Sequence, residues 1–261
     1  MEKIQPSNKP LFISDNKELY YSDFIKALKE VGVSKGDNIF VHSDISVFGK
    51  LAELNKDILL NGLSTALMES SKGTVIMPTF TYSYCWNQVF DHKESKSTVG
   101  VLSEYFRNLP DAVRTTQPIF SAAMLPCKQD FLDLSKDCFG QDSIFGRLHR
   151  EKAKIVFFGA KFEAVTFLHH IEQSYGVPYR YMKRFDGTFK MNGKEINDYC
   201  TYFVRHEDVK YDLSRFEEYL LKRGLLKRVK IGNGEILSAE AEVLYNEGFK
   251  LLDKDINFFR K

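Results

Sequence analysis

A histidine and a glutamate stand three residues apart in one segment, at His169 and Glu172. The segment follows an apolar run at residues 154–158 and a glycine at position 159, a pattern that indicates a strand, a loop and then a helix. Positions i and i+3 share a helix face, so Glu172 can hold the imidazole in one orientation. Such an imidazole is a suitable base near neutral pH. A structural histidine bonded to a nearby carboxylate is the alternative.

Polar and aromatic side chains also follow two other predicted strands. They are His42 and Ser43 at the end of the strand at 38–43, and Thr79, Tyr82 and Tyr84 after the strand at 74–78. In open α/β sheets, ligands bind beyond the carboxyl ends of the strands. We therefore expect these side chains to share one cleft with the histidine, although sheet packing and a satisfied strand-end histidine are structural alternatives.

Sequence motifs for several other chemistries are absent. There is no HExxH pattern, and the four cysteines are too dispersed for a zinc site, so no metal is expected. A GxSxG elbow, a P-loop and a GxGxxG fingerprint are missing as well. A serine nucleophile, nucleotide hydrolysis and dinucleotide redox chemistry therefore have no support.

The bulk composition is that of a globular chain without a strong charge bias. It has 261 residues, 43% of them hydrophobic, with 37 basic against 35 acidic side chains. This length predicts a single domain over residues 1–261, and the balanced charge gives no reason to expect nucleic acid or a membrane surface as partner. No signal-like start and no apolar run long enough for a membrane helix is present, so a cytoplasmic location is expected.

Helix and strand patterns alternate through the first two thirds. The predicted helices span 22–31, 55–71 and 99–108, and the predicted strands span 38–43, 74–78, 120–125 and 154–159. Ser22 is the expected N-cap of the first helix, and Gly32 its end. This rhythm indicates an α/β layered core.

The final third has a different pattern. Asn192-Gly193 predicts a hairpin between 188–191 and 194–204, and Gly232-Asn-Gly234 predicts a second one. Ser214 and Glu217 match a capping box that opens a helix, and a closing helix is expected at 238–252. These elements suggest an α+β elaboration of the same domain.

Six motifs in order resemble the aminoglycoside 3-N-acetyltransferase family, acetyl-CoA-dependent enzymes distinct from the GNAT acetyltransferases. The matching positions are Gly36-Asp37 with Val41-His42-Ser43 and Gly49; Met77 to Thr81; Ser97 to Gly100 with Arg107; Gly140, Ser143, Gly146 and Leu148; Leu168-His169 with Glu172; and Gly176 to Arg180. The resemblance extends from about residue 20 to residue 250, with few specific matches in the last part.

The resemblance implies a three-layer α/β/α sandwich with a mixed central sheet and a smaller C-terminal α+β elaboration. It also implies that acyl-CoA and an amine share one cleft, with His169 as general base and Glu172 orienting it. The residues that it assigns to acyl-CoA are His42, Ser43, Ser97, Val99 and Gly100. The residues that we expect at the acceptor are Thr79, Tyr82, Tyr84, Gln117 and Arg180.

One segment departs from the family pattern. Where the family carries His-Pro-x-His-Ser, this chain has Gln117, Pro118, Phe120 and Ser121. Replacing imidazole by an aromatic ring makes a pocket more apolar, so we favour an amino-sugar acceptor, for instance a nucleotide-linked one, over a drug. Transfer to a hydroxyl, a non-catalytic ligand-binding relative and a thioester or amide hydrolase remain alternatives. The assembly state, including a homodimer, stays open.

Overall fold

The computed structural model describes residues 9–132 and 134–261. The helices in these ranges are α1 Tyr21–Glu30, α2 Lys56–Ser71, α3 Val101–Arg107, α4 Ile144–Arg150, α5 Leu168–Tyr175, α6 Ser214–Lys222 and α7 Ala241–Lys254. The strands are β1 Phe12–Ser14, β2 Lys17–Leu19, β3 Asp37–Ser43, β4 Lys50–Leu51, β5 Lys72–Pro78, β6 Phe90–Asp91, β7 Val113–Arg114, β8 Ala122–Leu125, β9 Lys154–Phe158, β10 Arg180–Met191, β11 Lys194–Arg205, β12 Lys227–Ile231 and β13 Gly234–Glu240.

The central sheet has the strand order β12-β13-β9-β3-β5-β8-β7. Strand β3 runs parallel to both β9 and β5, whereas the outer pairs are antiparallel, so the sheet is mixed. Because β3, β5 and β9 are parallel, their carboxyl ends lie at one edge of the sheet. His42 and Ser43, Pro78 and Phe158 mark that edge.

Successive residues of the central strands face two separate hydrophobic layers. Ile39 and Val41 of β3 pack with the layer that contains α1, α2 and α3, while Phe40 between them packs with the layer of α4, α5 and α7. Side chains alternate across a strand, so a sheet with an apolar core on each face needs helices on both. The predicted three-layer α/β/α sandwich with a mixed sheet is confirmed.

The hairpin β10–β11 forms the main part of the C-terminal elaboration. Asn192 and Gly193 turn with φ of 51° and 74°, as their types predict. Its first strand is longer than expected, because it begins at Arg180 instead of residue 188. The base of the hairpin, around Arg180 and Arg205, therefore stands next to the central layers, and β12–β13 extends the central sheet.

A glycine notch seats this hairpin on the body. The ring of Tyr84 lies against Gly187, where an added Cβ would come within 2.4 Å of the ring. No side chain fits there without displacing either the ring or the strand. Tyr84, expected at the acceptor, is thus buried beneath the hairpin.

The predicted starts of the helices α1, α6 and α7 need correction. Helix α1 begins before Ser22, because the Tyr20 N–H donates to the Asp23 carboxylate at 2.8 Å and makes Tyr20 the N-cap. No capping box forms at α6, since the Ser214 hydroxyl donates to Asp212 instead. Helix α7 starts at Ala241, because Ser238 is still paired with Val156 of β9.

None of the described helices has both the length and the apolar character needed to cross a bilayer.

Candidate active site

A cavity of about 820 Å³ opens at the edge where the parallel strands end. His42, Ser43 and Pro78 form its strand-end wall, with Val99 and Gly100 beside them. The loop after β9, with Glu163 to Thr166, forms a second wall; His169 and the hairpin side chains close the cavity. This volume lies in the range of small-molecule and cofactor sites.

His169 reaches this cavity from the first turn of α5. Its Nδ1 lies 3.1 Å from Glu172 Oε2, the i,i+3 contact that the sequence predicted. Its side chain is 21% exposed, whereas Glu172 is fully buried behind it. The other ring nitrogen, Nε2, has no protein partner among the described residues and is free to meet a ligand.

A buried network surrounds the Glu172 carboxylate. The Arg180 Nε atom lies 2.9 Å from Glu172 Oε2, and the hydroxyls of Tyr211 and Tyr179 donate to Oε1 at 2.6 and 3.1 Å. Arg180 also donates to the Phe203 carbonyl at 2.5 Å, so its guanidinium is nearly saturated. Arg180 lines the cavity, but its donors point into this network, where they contact the Glu172 carboxylate, the Tyr211 hydroxyl and the Phe203 carbonyl.

The electrostatic environment favours a charged glutamate and a neutral histidine. Burial alone would raise the pKa of Glu172, but the hydrogen bond from His169 and the charge of Arg180 outweigh it and lower that pKa. Burial, followed by the charge of Arg180, lowers the pKa of His169 below 6.5, despite the opposing effect of Glu172. A neutral imidazole is the form that accepts a proton.

Nδ1 of His169 has two possible partners, and each of them selects a different ring tautomer. Arg180 Nη2 lies 2.7 Å from Nδ1, and this donor and the Glu172 carboxylate compete for it. With the proton on Nδ1, the imidazole donates to Glu172, and Arg180 Nη2 donates to the Tyr211 hydroxyl at 2.7 Å instead. This arrangement leaves a lone pair on Nε2, which is the base form of the residue.

The protonation state of His169 is directly testable. We expect an NMR titration of its ring protons, assigned by comparison with His169→Ala, to give a midpoint below pH 6.5, because burial and Arg180 disfavour the cation. The base is then in its proton-accepting form throughout the neutral range. A midpoint above 6.5 would show that Glu172 dominates and would contradict this description.

The strand-end wall contains a second buried imidazole. His42 is stacked on Phe157 at 5.6 Å between ring centroids, and burial lowers its pKa to about 3. Its Nε2 is buried without a protein partner among the described residues. A buried polar atom of this kind needs a partner, and a bound ligand can supply one.

Gly100 allows two segments of the strand-end wall to lie close together. It has a φ of 84°, and an added Cβ would lie 3.3 Å from the Ser43 carbonyl oxygen. Glycine thus allows the loop that leads into α3 to approach β3 closely. Four residues expected at acyl-CoA, namely His42, Ser43, Val99 and Gly100, share this wall, while Ser97 lies just behind it with its N–H bonded to Glu104 at 2.8 Å.

Three expected acceptor residues lie outside the cavity: Tyr84, buried beneath the hairpin, and also Thr79 and Gln117. Thr79 is buried, and its hydroxyl lies 3.2 Å from both Ser121 Oγ and Arg114 Nε. Gln117 is also buried; its Oε1 accepts from the N–H groups of Ile119 and Phe120 at 2.6 and 2.7 Å. Both side chains are engaged in buried hydrogen bonds beside β7 and β8, so the structure does not bring them to the site.

Phe120 influences the cavity from behind its wall. Its ring centroid lies 5.6 Å from that of Tyr82 and 5.1 Å from that of Tyr202, and both tyrosines line the cavity. The replacement of a family histidine by Phe120 therefore changes the ring against which Tyr82 and Tyr202 pack. Burial raises the pKa of Tyr82 to about 12, so its hydroxyl stays protonated.

Several site residues were missed in the sequence. Tyr211 and Arg205 stand near the end of the hairpin in polar surroundings, with no motif around them. Tyr179 immediately precedes Arg180 in a matched motif, which is a signal that could have been used. Among the described residues, no group of three or more His, Cys, Asp or Glu side chains is arranged to hold a metal ion.

The fold and the site together define an α/β/α protein with an oriented imidazole in a strand-end cavity. A family model described as Aminoglycoside 3-N-acetyltransferase matches residues 40–253. This match covers well over half of the chain, so the chain belongs to the aminoglycoside 3-N-acetyltransferase family, as its motifs predicted.

Known proteins agree with this assignment. Aminoglycoside N(3)-acetyltransferase VII of Streptomyces paromomycinus is 24% identical over 192 residues, which are 65% of this chain and 65% of that protein. The chain therefore matches slightly less than two thirds of that relative. A structure of AAC-IIIb with CoASH has a TM-score of 0.78 at 22% identity, over 90% of this chain and 96% of the other. For a mutant of AAC(3)-IVa in complex with apramycin the values are 0.74, 22%, 92% and 95%.

Proposed function

We propose that this chain is an acyl-CoA-dependent N-acyltransferase that moves an acetyl or short acyl group to the amine of an amino-sugar or aminoglycoside-like acceptor. The observation that carries the proposal is His169, held at Nδ1 by Glu172 and open at Nε2, in a cavity of about 820 Å³. The whole chain acts as one acyltransferase domain in this proposal. Family membership supports the reaction class, and the CoASH named in the AAC-IIIb structure supports the donor.

The donor fits the strand-end wall. His42 lines this wall and has a buried ring nitrogen without a partner in the described part of the chain, and Gly100 leaves space beside Ser43 that a side chain would fill. A pantetheine arm is slender and carries amide groups that can bond such atoms. We assign His42, Ser43, Val99 and Gly100 to this arm, with the thioester directed toward His169.

The reaction then needs one base and one proton path. The acceptor nitrogen attacks the thioester carbon, and Nε2 of His169 takes the proton that the nitrogen loses. The C–S bond breaks as the tetrahedral intermediate collapses, and the imidazolium returns the proton to the departing CoA sulfur. Atoms and charge balance without a further reactant.

Glu172 stabilises the imidazolium that forms during this cycle. Its charge is itself held in place by Arg180 and by two tyrosine hydroxyls, those of Tyr179 and Tyr211. Burial, followed by the nearby Glu172 charge, raises the pKa of both phenols, so they remain donors. The carboxylate therefore cannot swing away from the ring, which keeps the base pointed at the cavity.

Thiol release provides the test. Purified protein is mixed with acetyl-CoA and a panel of amines, including kanamycin, gentamicin, glucosamine and UDP-glucosamine, and products are identified by mass spectrometry. Acceptor-dependent CoA release with a product heavier by one acetyl group supports the proposal. CoA release without any acceptor would instead indicate a thioester hydrolase, and binding without release would indicate a non-catalytic relative.

Glu172→Gln is expected to lower kcat by about tenfold. This is the lower end of the effect that is typical when a carboxylate orienting a functional histidine is replaced. The amide keeps the shape and can still accept the Nδ1–H bond, but it lacks the charge that stabilises the imidazolium. Steady-state kinetics at saturating acetyl-CoA measures the effect, with circular dichroism to confirm folding. Glu69→Gln, at an exposed glutamate of α2 that does not line the cavity, is the matched control and should stay near the wild-type rate. An unchanged rate in Glu172→Gln would exclude its orienting role.

A further inference from the structure

Arg205 is a cation of the cavity wall without a carboxylate partner among the described residues. Its guanidinium lies 5.4 Å from the ring centroid of Tyr211 and is exposed at the end of β11. Within the described part of the chain it forms no ion pair, although it lines the cavity that contains His169. Its charge also contributes, after burial and Arg180, to the lowered pKa of His169, which places it near the base.

The hairpin register places the charge of Arg205 opposite a second positive charge. Arg205 lies directly opposite Arg180 in the β10–β11 pair. Like charges in opposite positions of two strands destabilise the pair unless something neutralises them. Glu172 neutralises Arg180 at 2.9 Å, but the carboxylate of Glu172 is already fully bonded. The positive charge of Arg205 is therefore left for a ligand.

The other charged side chains that line the cavity are Arg180, Glu163, Asp212 and Lys261. Asp212 accepts the N–H and hydroxyl of Ser214 at the start of α6, and these bonds lower its pKa with a smaller contribution from Lys261. Glu163 belongs to the short turn after β9, on a separate wall from the hairpin. The described lining of the cavity thus has no acidic cluster of the kind that would attract a polycation.

We propose that Arg205, backed by the ring of Tyr211, binds an anionic group, a phosphate or carboxylate, on the amine acceptor. The proposal rests on the proposed acyl transfer and narrows its acceptor to acidic amino-sugars, such as phosphorylated or nucleotide-linked ones. An arginine fork matches both groups geometrically and makes charge-assisted hydrogen bonds to them. The donor is assigned to the strand-end wall around Gly100, which leaves the hairpin side for the acceptor.

A matched pair of acceptors tests the subsite. The wild-type protein should turn over glucosamine 6-phosphate with a kcat/KM about tenfold above that for glucosamine, as one charge-assisted contact provides. In Arg205→Gln this ratio should fall to about one, and Arg205→Lys should retain part of it. Arg223→Gln is the control, because Arg223 also stacks on a tyrosine, Tyr219 at 3.9 Å, but does not line the cavity.

Three results would overturn the assignment. The ratio in Arg205→Gln could equal that of the wild type, or the wild type itself could show no preference. Alternatively, Arg205→Gln could raise the KM for acetyl-CoA but not for acetyl-dephospho-CoA, which would assign Arg205 to the donor phosphate. If no amine is acylated at all, calorimetric titration with glucosamine 6-phosphate still reads the subsite. Binding to the wild type but not to Arg205→Gln would then support it independently of turnover.

Discussion

Replacing His169 by alanine should lower kcat by at least about a hundredfold and leave acetyl-CoA affinity nearly unchanged. The ring of His169 lines the cavity with Nε2 free of protein partners among the described residues, whereas the residues assigned to the donor belong to the strand-end wall. Removing the ring therefore removes proton transfer while sparing the donor contacts. Steady-state kinetics gives kcat, and calorimetry with CoA gives the affinity.

His206→Ala is the control for this experiment, because His206 is an exposed residue just after β11 that does not line the cavity. It should retain the wild-type rate. A His169→Ala variant that keeps more than about a tenth of the wild-type kcat would contradict the base assignment. A large loss of CoA affinity in that variant would instead assign the ring to the donor site.

Arg180→Met should destabilise the fold by about 3–5 kcal/mol, because it leaves a buried carboxylate without its cation. Glu172 is fully buried and Arg180 nearly so, and their shortest ion-pair contact is 2.9 Å. Methionine fills much of the volume but offers no charge or donor. Urea unfolding followed by circular dichroism measures the free energy change.

The loss should depend on pH with a definite sign. In the wild type the pKa of Glu172 is lowered, so its contribution is present above pH 4.5 and is lost as pH falls through the folded-state value. Without Arg180, burial prevails and raises that pKa, so the destabilisation grows as pH rises. The double variant Arg180→Met, Glu172→Gln should recover part of the loss at about pH 8. An equal loss in mildly acidic and mildly basic buffer would show that charge is not its cause.

Most of the layered core was predictable from local pattern. In the central strands, successive apolar side chains face the two helical layers in alternation. The family motifs around Val41, Met77 and His169 occur in the expected order along the chain. The His169–Glu172 pair was predictable because a separation of three positions on one helix fixes the distance between the two side chains. Local sequence was sufficient wherever one element contains both partners.

The remainder of the site depends on contacts between distant elements. Arg180 was expected to bind the acceptor. Its hydrogen-bonding partners Tyr211 and Phe203 are separated from it in sequence by about the length of the hairpin. Gln117 stands where the family motif has a histidine, and its bonds to the N–H groups at 119 and 120 turn it away from the cavity. Neither a sequence motif nor hydrophobic periodicity predicts which way a side chain faces when several hydrogen-bonding partners compete for it.

The contact between Gly187 and Tyr84 sets how the hairpin β10–β11 is seated on the rest of the protein. The proposed base lies on α5, whereas Arg205 and Tyr202 of the acceptor side lie on the hairpin, as does Arg180, which contacts both Glu172 and His169. A methyl group at position 187 would displace either the ring or the hairpin, and with the hairpin the cation that supports the base. Acceptor selectivity and base orientation can therefore change together in this architecture through a single glycine.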